Sequence, residues 1–195
     1  MTTVMGVDPG KAGGLVVLND VGAIMETLPM PVLKAAKGRA EYDLVEIRRF
    51  VTRVALDTAS FDFDPTADAV AVSVQRLSPV SLHVVVERAQ PLPPTMPGGG
   101  NAQFQRGVSR GLWEGLLAGL GIPYELVAPR SWQSVMLRDV SGSDTKQRAL
   151  IAAQRLFPGF DFRASERSRK AHDGIVDAAL IAEYGRRRQR ARDAA

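Results

Sequence analysis

"MGVDPGKAGGLVVL", residues 5–18, sets one carboxylate, Asp8, at the end of an apolar run and follows it with a glycine-rich turn and a second apolar run. A run that stops at Asp-Pro-Gly and resumes after Gly-Gly predicts two strands joined by a tight turn. A third β-branched run at 23–28, beyond "NDVG", extends the pattern to a three-stranded meander over 3–7, 14–19 and 23–28. On these residues alone Asp8 fits three roles: turn former, phosphate-loop residue or metal ligand.

Outward from the meander the periodicity changes. "YDLVEIRRFVTRVALD", 42–57, places Leu44, Ile47, Val51, Val54 and Ala55 at helical spacing with charges opposite, predicting a helix. Residues 58–79 show no clean period and read as a variable connection. "LHVVVERAQ", 82–90, is a nearly continuous β-branched run, the pattern of a strand buried on both faces, and its first charged residue is Glu87. "PLPPTMPGGGN", 91–101, is too rich in Pro and Gly for a packed element and is expected to be a loop. A helix from about 103 to 120, a strand at "YELVAP", a helical turn at "RSWQSVML", a polar turn "RDVSGSD", a helix at "TKQRALIAAQRLF", a basic loop "RASERSRK" and a helix at "AHDGIVDAALIAEYGRRR" complete the chain. Trp113 and Trp132 are expected in the core. A meander followed by alternating helices and strands indicates an α/β fold with a mixed sheet. The expected organisation is one domain over 1–186 and a frayed basic tail over 187–195.

At 195 residues the chain is long enough to close a core around a sheet, and 45% hydrophobic with 24% charged residues is ordinary globular composition. The absence of cysteine excludes a disulfide framework, a thiolate nucleophile and a cysteine zinc site. With only His83 and His172, any metal has to be held mainly by carboxylates. No run approaches a membrane helix and "TTVMGVDPG" lacks a leader pattern, so no membrane partner and a cytoplasmic location, nucleoid-associated or virus-encoded, are expected. The net charge of +4 is uneven: residues 1–100 carry 9 Lys and Arg against 11 Asp and Glu, and residues 101–195 carry 16 against 10. A basic second half favours a polyanionic partner.

Three acidic features stand apart: Asp8 ending the first strand, Glu87 ending a central strand, and Asp173 with Asp177 four residues apart on one face of the last helix. Gathered carboxylates repel, and burying them unpaired costs several kcal/mol, so a fold that brings them together usually has a cation to offset the charge. Oxygen-only ligands suit magnesium or manganese, and two such ions serve phosphodiester hydrolysis. The plain readings remain for each taken singly: Asp8 as a turn former, Glu87 in a surface pair with Arg88, Asp173 as a helix N-terminal acid, and His172 as a cap.

The order "GVDPG", "VVVE", "GSDTK" and "HDGIVDAALIA" resembles the RuvC-like Holliday junction resolvases of the ribonuclease H-like superfamily. "APRSWQSVML" and "TKQRALIAAQRLFPG" bring it nearer the phage and chloroplast-type members. The resemblance implies a mixed five-stranded sheet flanked by helices. It also implies a homodimer that cuts four-way DNA junctions by paired symmetric nicks, with two Mg2+ ions (Mn2+ as substitute) per site and no nucleotide cofactor. Asp8, Glu87, Asp173 and Asp177 match the family's metal-binding catalytic acids, with His172 beside them, and Lys146 matches a basic residue that contacts the junction backbone near the cut. Gln133 departs from the pattern, standing where the bacterial enzyme has another lysine. Lys11, Met96, Asn101, Gln103, Phe104, Arg106, Arg110, Gln133, Lys146, Arg167, Arg169 and Lys170 are the expected DNA contacts. The rival readings are a junction-binding scaffold that does not cut and an actin-like ATPase, for whose duplicated domain 195 residues leave no room.

Overall fold

A computed structural model describes residues 2–33, 40–58, 81–90 and 99–195. The meander forms as expected: β1 (Thr3–Asp8), β2 (Gly14–Leu18) and β3 (Ile24–Pro29) are antiparallel neighbours. A short hairpin, β4 (Val32–Leu33) with β5 (Glu41–Tyr42), leads to α1 (Leu44–Asp57), whose first turn Asp43 caps by accepting the Glu46 N–H at 3.0 Å. Tyr42 is therefore a strand residue, and the helix starts two positions later than its apolar spacing suggested.

β6 (Leu82–Glu87) enters the sheet parallel to β1, and β7 (Tyr124–Val127) lies parallel to β6. The order β3-β2-β1-β6-β7 is the expected mixed five-stranded sheet, with β1 and β6 at its centre. Helices cover both faces. α1 and α2 (Gly99–Gly119) pack Ile47, Phe50, Val51, Trp113 and Leu117 against Met5, Val7, Leu15, Val84 and Val86. On the other face α3 (Pro129–Met136), α4 (Thr145–Leu156) and α5 (Asp173–Asp193) bury Trp132, Ala149, Ala153, Ile175 and Ala179 with Val4, Val16 and Val85.

Two boundaries correct the sequence reading. α2 begins at Gly99, so Asn101 is a helical residue and not part of a loop; residues 91–98, with Met96, and most of the 58–79 connection lie outside the described residues. The chain from 187 onward is also not a frayed tail: α5 continues unbroken to Asp193. Arg187 reaches the buried Glu183 at 2.8 Å, and Arg188 and Arg192 reach Glu125 on β7 at 3.4 and 3.2 Å, so acids elsewhere in the fold hold this arginine run in register.

α5 lies close against the strands because small residues face them. A Cβ on Gly6 would stand 2.1 Å from the Ala178 carbonyl oxygen and 2.4 Å from the Ala182 nitrogen. One on Gly174 would stand 2.3 Å from the Gly13 carbonyl carbon, where the two chains form an isolated bridge. Only glycine permits backbone approach of this kind, and it brings the first turns of α5 over the β1–β2 turn.

Candidate active site

Side chains alternate along a strand. Met5 and Val7 join the α1/α2 face of the core while Val4 joins the α5 face, so Asp8 points toward α5. By the same count Val85 and Glu87 share that face on β6. Because β1 and β6 are parallel with Val7 opposite Val86, the two carboxylates leave adjacent strands at the same level. Asp177, in the second turn of α5, is the third member. Each of the three is half-buried.

Their ionisation registers this proximity. Burial pushes the Asp8 carboxyl up to about 6, against a smaller opposing pull from the Gly10 N–H, which its Oδ1 accepts at 3.2 Å. Burial likewise raises Glu87 to about 7, with the Asp8 charge adding to it and the Trp132 hydrogen bond and Arg106 opposing. Asp177 rises to about 7 through burial, then through the charges of Asp8, Glu87 and Asp173, with Lys146 opposing. Asp8 thus accepts the N–H of its own turn and lies within electrostatic reach of Glu87 and Asp177.

Asp173 stands apart from this trio. Its side chain is 57% exposed and holds the Lys146 ammonium at 2.6 Å, which joins the start of α4 to the start of α5. His172 is the N-cap of α5, its Nδ1 accepting the Ile175 N–H at 3.3 Å, so only Nε2 is left for any ligand. Among the described residues no three carboxylate or imidazole side chains stand close enough together to hold a metal ion as they are placed. The donor set nevertheless fits a hard cation: oxygen-only and partly desolvated, with proton affinities raised by burial and mutual repulsion.

A cleft of about 530 Å³ opens beside Asp8 and Glu87, lined also by Lys11, Tyr42, Arg106 and Ser109. The Lys11 ammonium sits 5.4 Å from the centre of the Tyr42 ring, and an Arg106 guanidinium nitrogen donates to the Gln90 carbonyl at 3.0 Å. Lys11, Arg106 and Lys146 are therefore the expected DNA contacts that lie by the carboxylates. Phe104 is 67% exposed on α2, and Asn101 and Gln103 precede it on the same helix. Arg110 is held in an ion pair with Glu114 one turn on. Gln133 is half-buried on α3, while Arg167, Arg169 and Lys170 are exposed on the segment leading to His172.

Three supporting residues escaped the sequence reading. The Pro9 carbonyl accepts both the Tyr42 hydroxyl, at 2.9 Å, and the buried Ser109 hydroxyl, at 2.7 Å, which ties the turn after Asp8 to β5 and α2. These partners lie 33 and 100 positions away, and no local pattern announces them. The third, Trp132, is fully buried as expected, yet its indole N–H donates to Glu87 Oε2 at 2.7 Å. The available signal was that a buried indole usually takes an acceptor.

No helix among the described residues is long and apolar enough to cross a membrane. No protein-family profile matches the chain. Two solved structures of Thermus thermophilus align over 97% of it: RuvC in complex with a Holliday junction substrate, covering 96% of that chain at 13% identity and a TM-score of 0.48, and RuvC alone, covering 97% at 16% identity and 0.46. By sequence, the chain is 36% identical over 107 residues, 54% of its length, to the chloroplastic Holliday junction resolvase MOC1 of Chlamydomonas reinhardtii. The aligned part spans only about a tenth of that protein, 11%. Over rather more than half its length, then, this chain is similar to a protein named for resolving Holliday junctions.

Proposed function

We propose that this chain is a divalent-metal-dependent endonuclease that resolves four-way DNA junctions. The observation that carries the reading is that Asp8, Glu87 and Asp177, from two adjacent parallel strands and a helix, are each half-buried and within electrostatic reach of one another. The mixed five-stranded sheet flanked by helices is the one expected from the ribonuclease H-like resemblance, and the sequence similarity to a named resolvase agrees with it.

In this reading Asp8, Glu87 and Asp177 hold the ions, with Asp173 at the solvent edge and His172 Nε2 within the same turn of chain. Bound divalent ions supply the Lewis acidity that activates water and offsets charge on the phosphate. The protein's own part is to hold the strand. Lys11 and Arg106 at the cleft take backbone phosphates, and Lys146 leaves Asp173 to meet the phosphate at the cut. Paired symmetric nicks need two sites, so the active species is a two-fold homodimer.

The test is cleavage of end-labelled four-way junctions in Mg2+, with cut sites mapped on each strand and linear duplex as control. Paired cuts at symmetric positions are the expected result. Junction binding without cleavage under Mg2+ or Mn2+ would instead identify a non-cutting scaffold.

A further inference from the structure

Glu87 is the member of the acidic trio with a partner from the hydrophobic core. Trp132 is 0% exposed in the centre of α3, packed in the core on the α5 side of the sheet, and its one polar atom lies 2.7 Å from Glu87 Oε2. The satisfied indole is not automatic in this fold: Trp113, equally buried on the opposite face, has an Nε1 with no acceptor among the described residues. An indole N–H is a neutral donor that neither titrates nor competes with a cation for charge. It occupies one carboxylate oxygen and leaves the other.

The helix carrying Trp132 is itself anchored. Pro129 opens α3, and Arg148 from α4 donates to the Leu137 and Val140 carbonyls at its far end, at 2.7 and 2.8 Å. With its ring packed on all sides and its helix pinned to α4, the indole has one available position, and Glu87 at the strand end is held by it.

We propose that Trp132 is a positioning residue for metal binding: its N–H holds Oε2 of Glu87 in place and would leave Oε1 free for an ion. This rests on the nuclease reading above. Groups that orient a ligand in this way typically change metal affinity by ~10- to 100-fold when removed.

The experiment uses the full-length chain with 15N-labelled tryptophan, whose two indole N–H signals belong to Trp113 and Trp132. Titration with Mg2+ is expected to move the Trp132 signal and leave that of Trp113 in place. Trp132→Phe keeps the ring and removes the donor. It should weaken Mn2+ binding, measured by calorimetry, about 10-fold or more and raise the Mg2+ needed for half-maximal junction cleavage to match. Its junction affinity in EDTA should stay that of the unsubstituted chain, and Trp113→Phe should leave metal affinity unchanged. A Trp132 signal unmoved at saturating Mg2+ in protein that cleaves junctions, or a Trp132→Phe protein with unaltered Mn2+ affinity, overturns the inference and leaves the nuclease reading standing. A native chain that binds Mn2+ and moves the indole signal but cuts no junction overturns the nuclease reading alone. If the substitution prevents folding, the titration of the native chain decides.

Discussion

Removing the Asp8 charge has two separable consequences, one for chemistry and one for stability. Asp8→Asn keeps an oxygen to accept the Gly10 N–H but, on the proposed nuclease reading, deletes a metal ligand, so junction cleavage should fall below detection while junction binding persists. The stability effect has a definite sign. Asp8, Glu87 and Asp177 all have native-state pKa values above their unfolded ones, at about 6, 7 and 7. Between about pH 4 and 7 these three carboxyls therefore hold more protons in the native state than in the unfolded chain, and their contribution to stability falls as pH rises through that window. In EDTA, urea midpoints should drop from pH 5 to pH 8, and Asp8→Asn should flatten the drop, gaining on the order of 1–3 kcal/mol at pH 8. Added Mg2+ should restore the lost stability at pH 8 and do little at pH 5, where protons occupy the same oxygens.

At the scale of elements the site depends on how closely α5 approaches the sheet. Gly6→Ala would place a methyl against the α5 backbone itself, which cannot rotate aside, and should cost roughly 2–3 kcal/mol in chemical denaturation. Because the same displacement lifts Asp177 from Asp8, cleavage should fall further than stability alone accounts for. The far half of α5 offers a second test. Glu183 is buried between Arg186 and Arg187, and Arg186 also donates to the Asp20 carbonyl beside the β2–β3 turn, at 3.2 Å. Burial alone would raise the Glu183 carboxyl, but the two guanidinium groups outweigh it and hold it low. Glu183→Gln leaves the partly buried Arg186 without its counter-charge and should cost about 3 kcal/mol, read from the urea midpoint. Truncation after residue 186 removes only the more exposed partners Arg187, Arg188 and Arg192, so its cost should be about 1–2 kcal/mol.

For the whole molecule, charge and topology divide the work. The excess of Lys and Arg lies in residues 101–195, and Arg106, Lys146, Arg167, Arg169 and Lys170 all come from that half. Junction affinity should therefore fall steeply between 50 and 200 mM salt, on the order of 10³-fold if about six phosphates are contacted, read by gel shift in EDTA. In the two-site scheme the chain should sediment at about twice its 21.1 kDa mass, and a purely monomeric species that nicks only one strand per junction would remove the homodimer from the reading.

Much of this architecture was legible along the chain. Apolar runs bounded by turn residues locate β1, β2, β3, β6 and β7, and helical stretches between them locate the cores of the five described helices, because burial imposes those patterns whatever the function. The same logic puts Asp8 and Glu87 at strand ends, since a charge closes a buried run. Other features needed the third dimension. α5 extends through its arginine run because Glu183 and Glu125 meet it there, while local composition suggested a tail. Asp173 and Asp177 share a helical face, yet one lies exposed against Lys146 and the other half-buried with Asp8 and Glu87. Trp132 looks like any core aromatic until the fold sets its N–H on a carboxylate 45 residues away. Periodicity records only whether a residue is buried. Which group it meets when buried is decided by packing between distant segments, and the chemistry of the carboxylate site depends on those meetings.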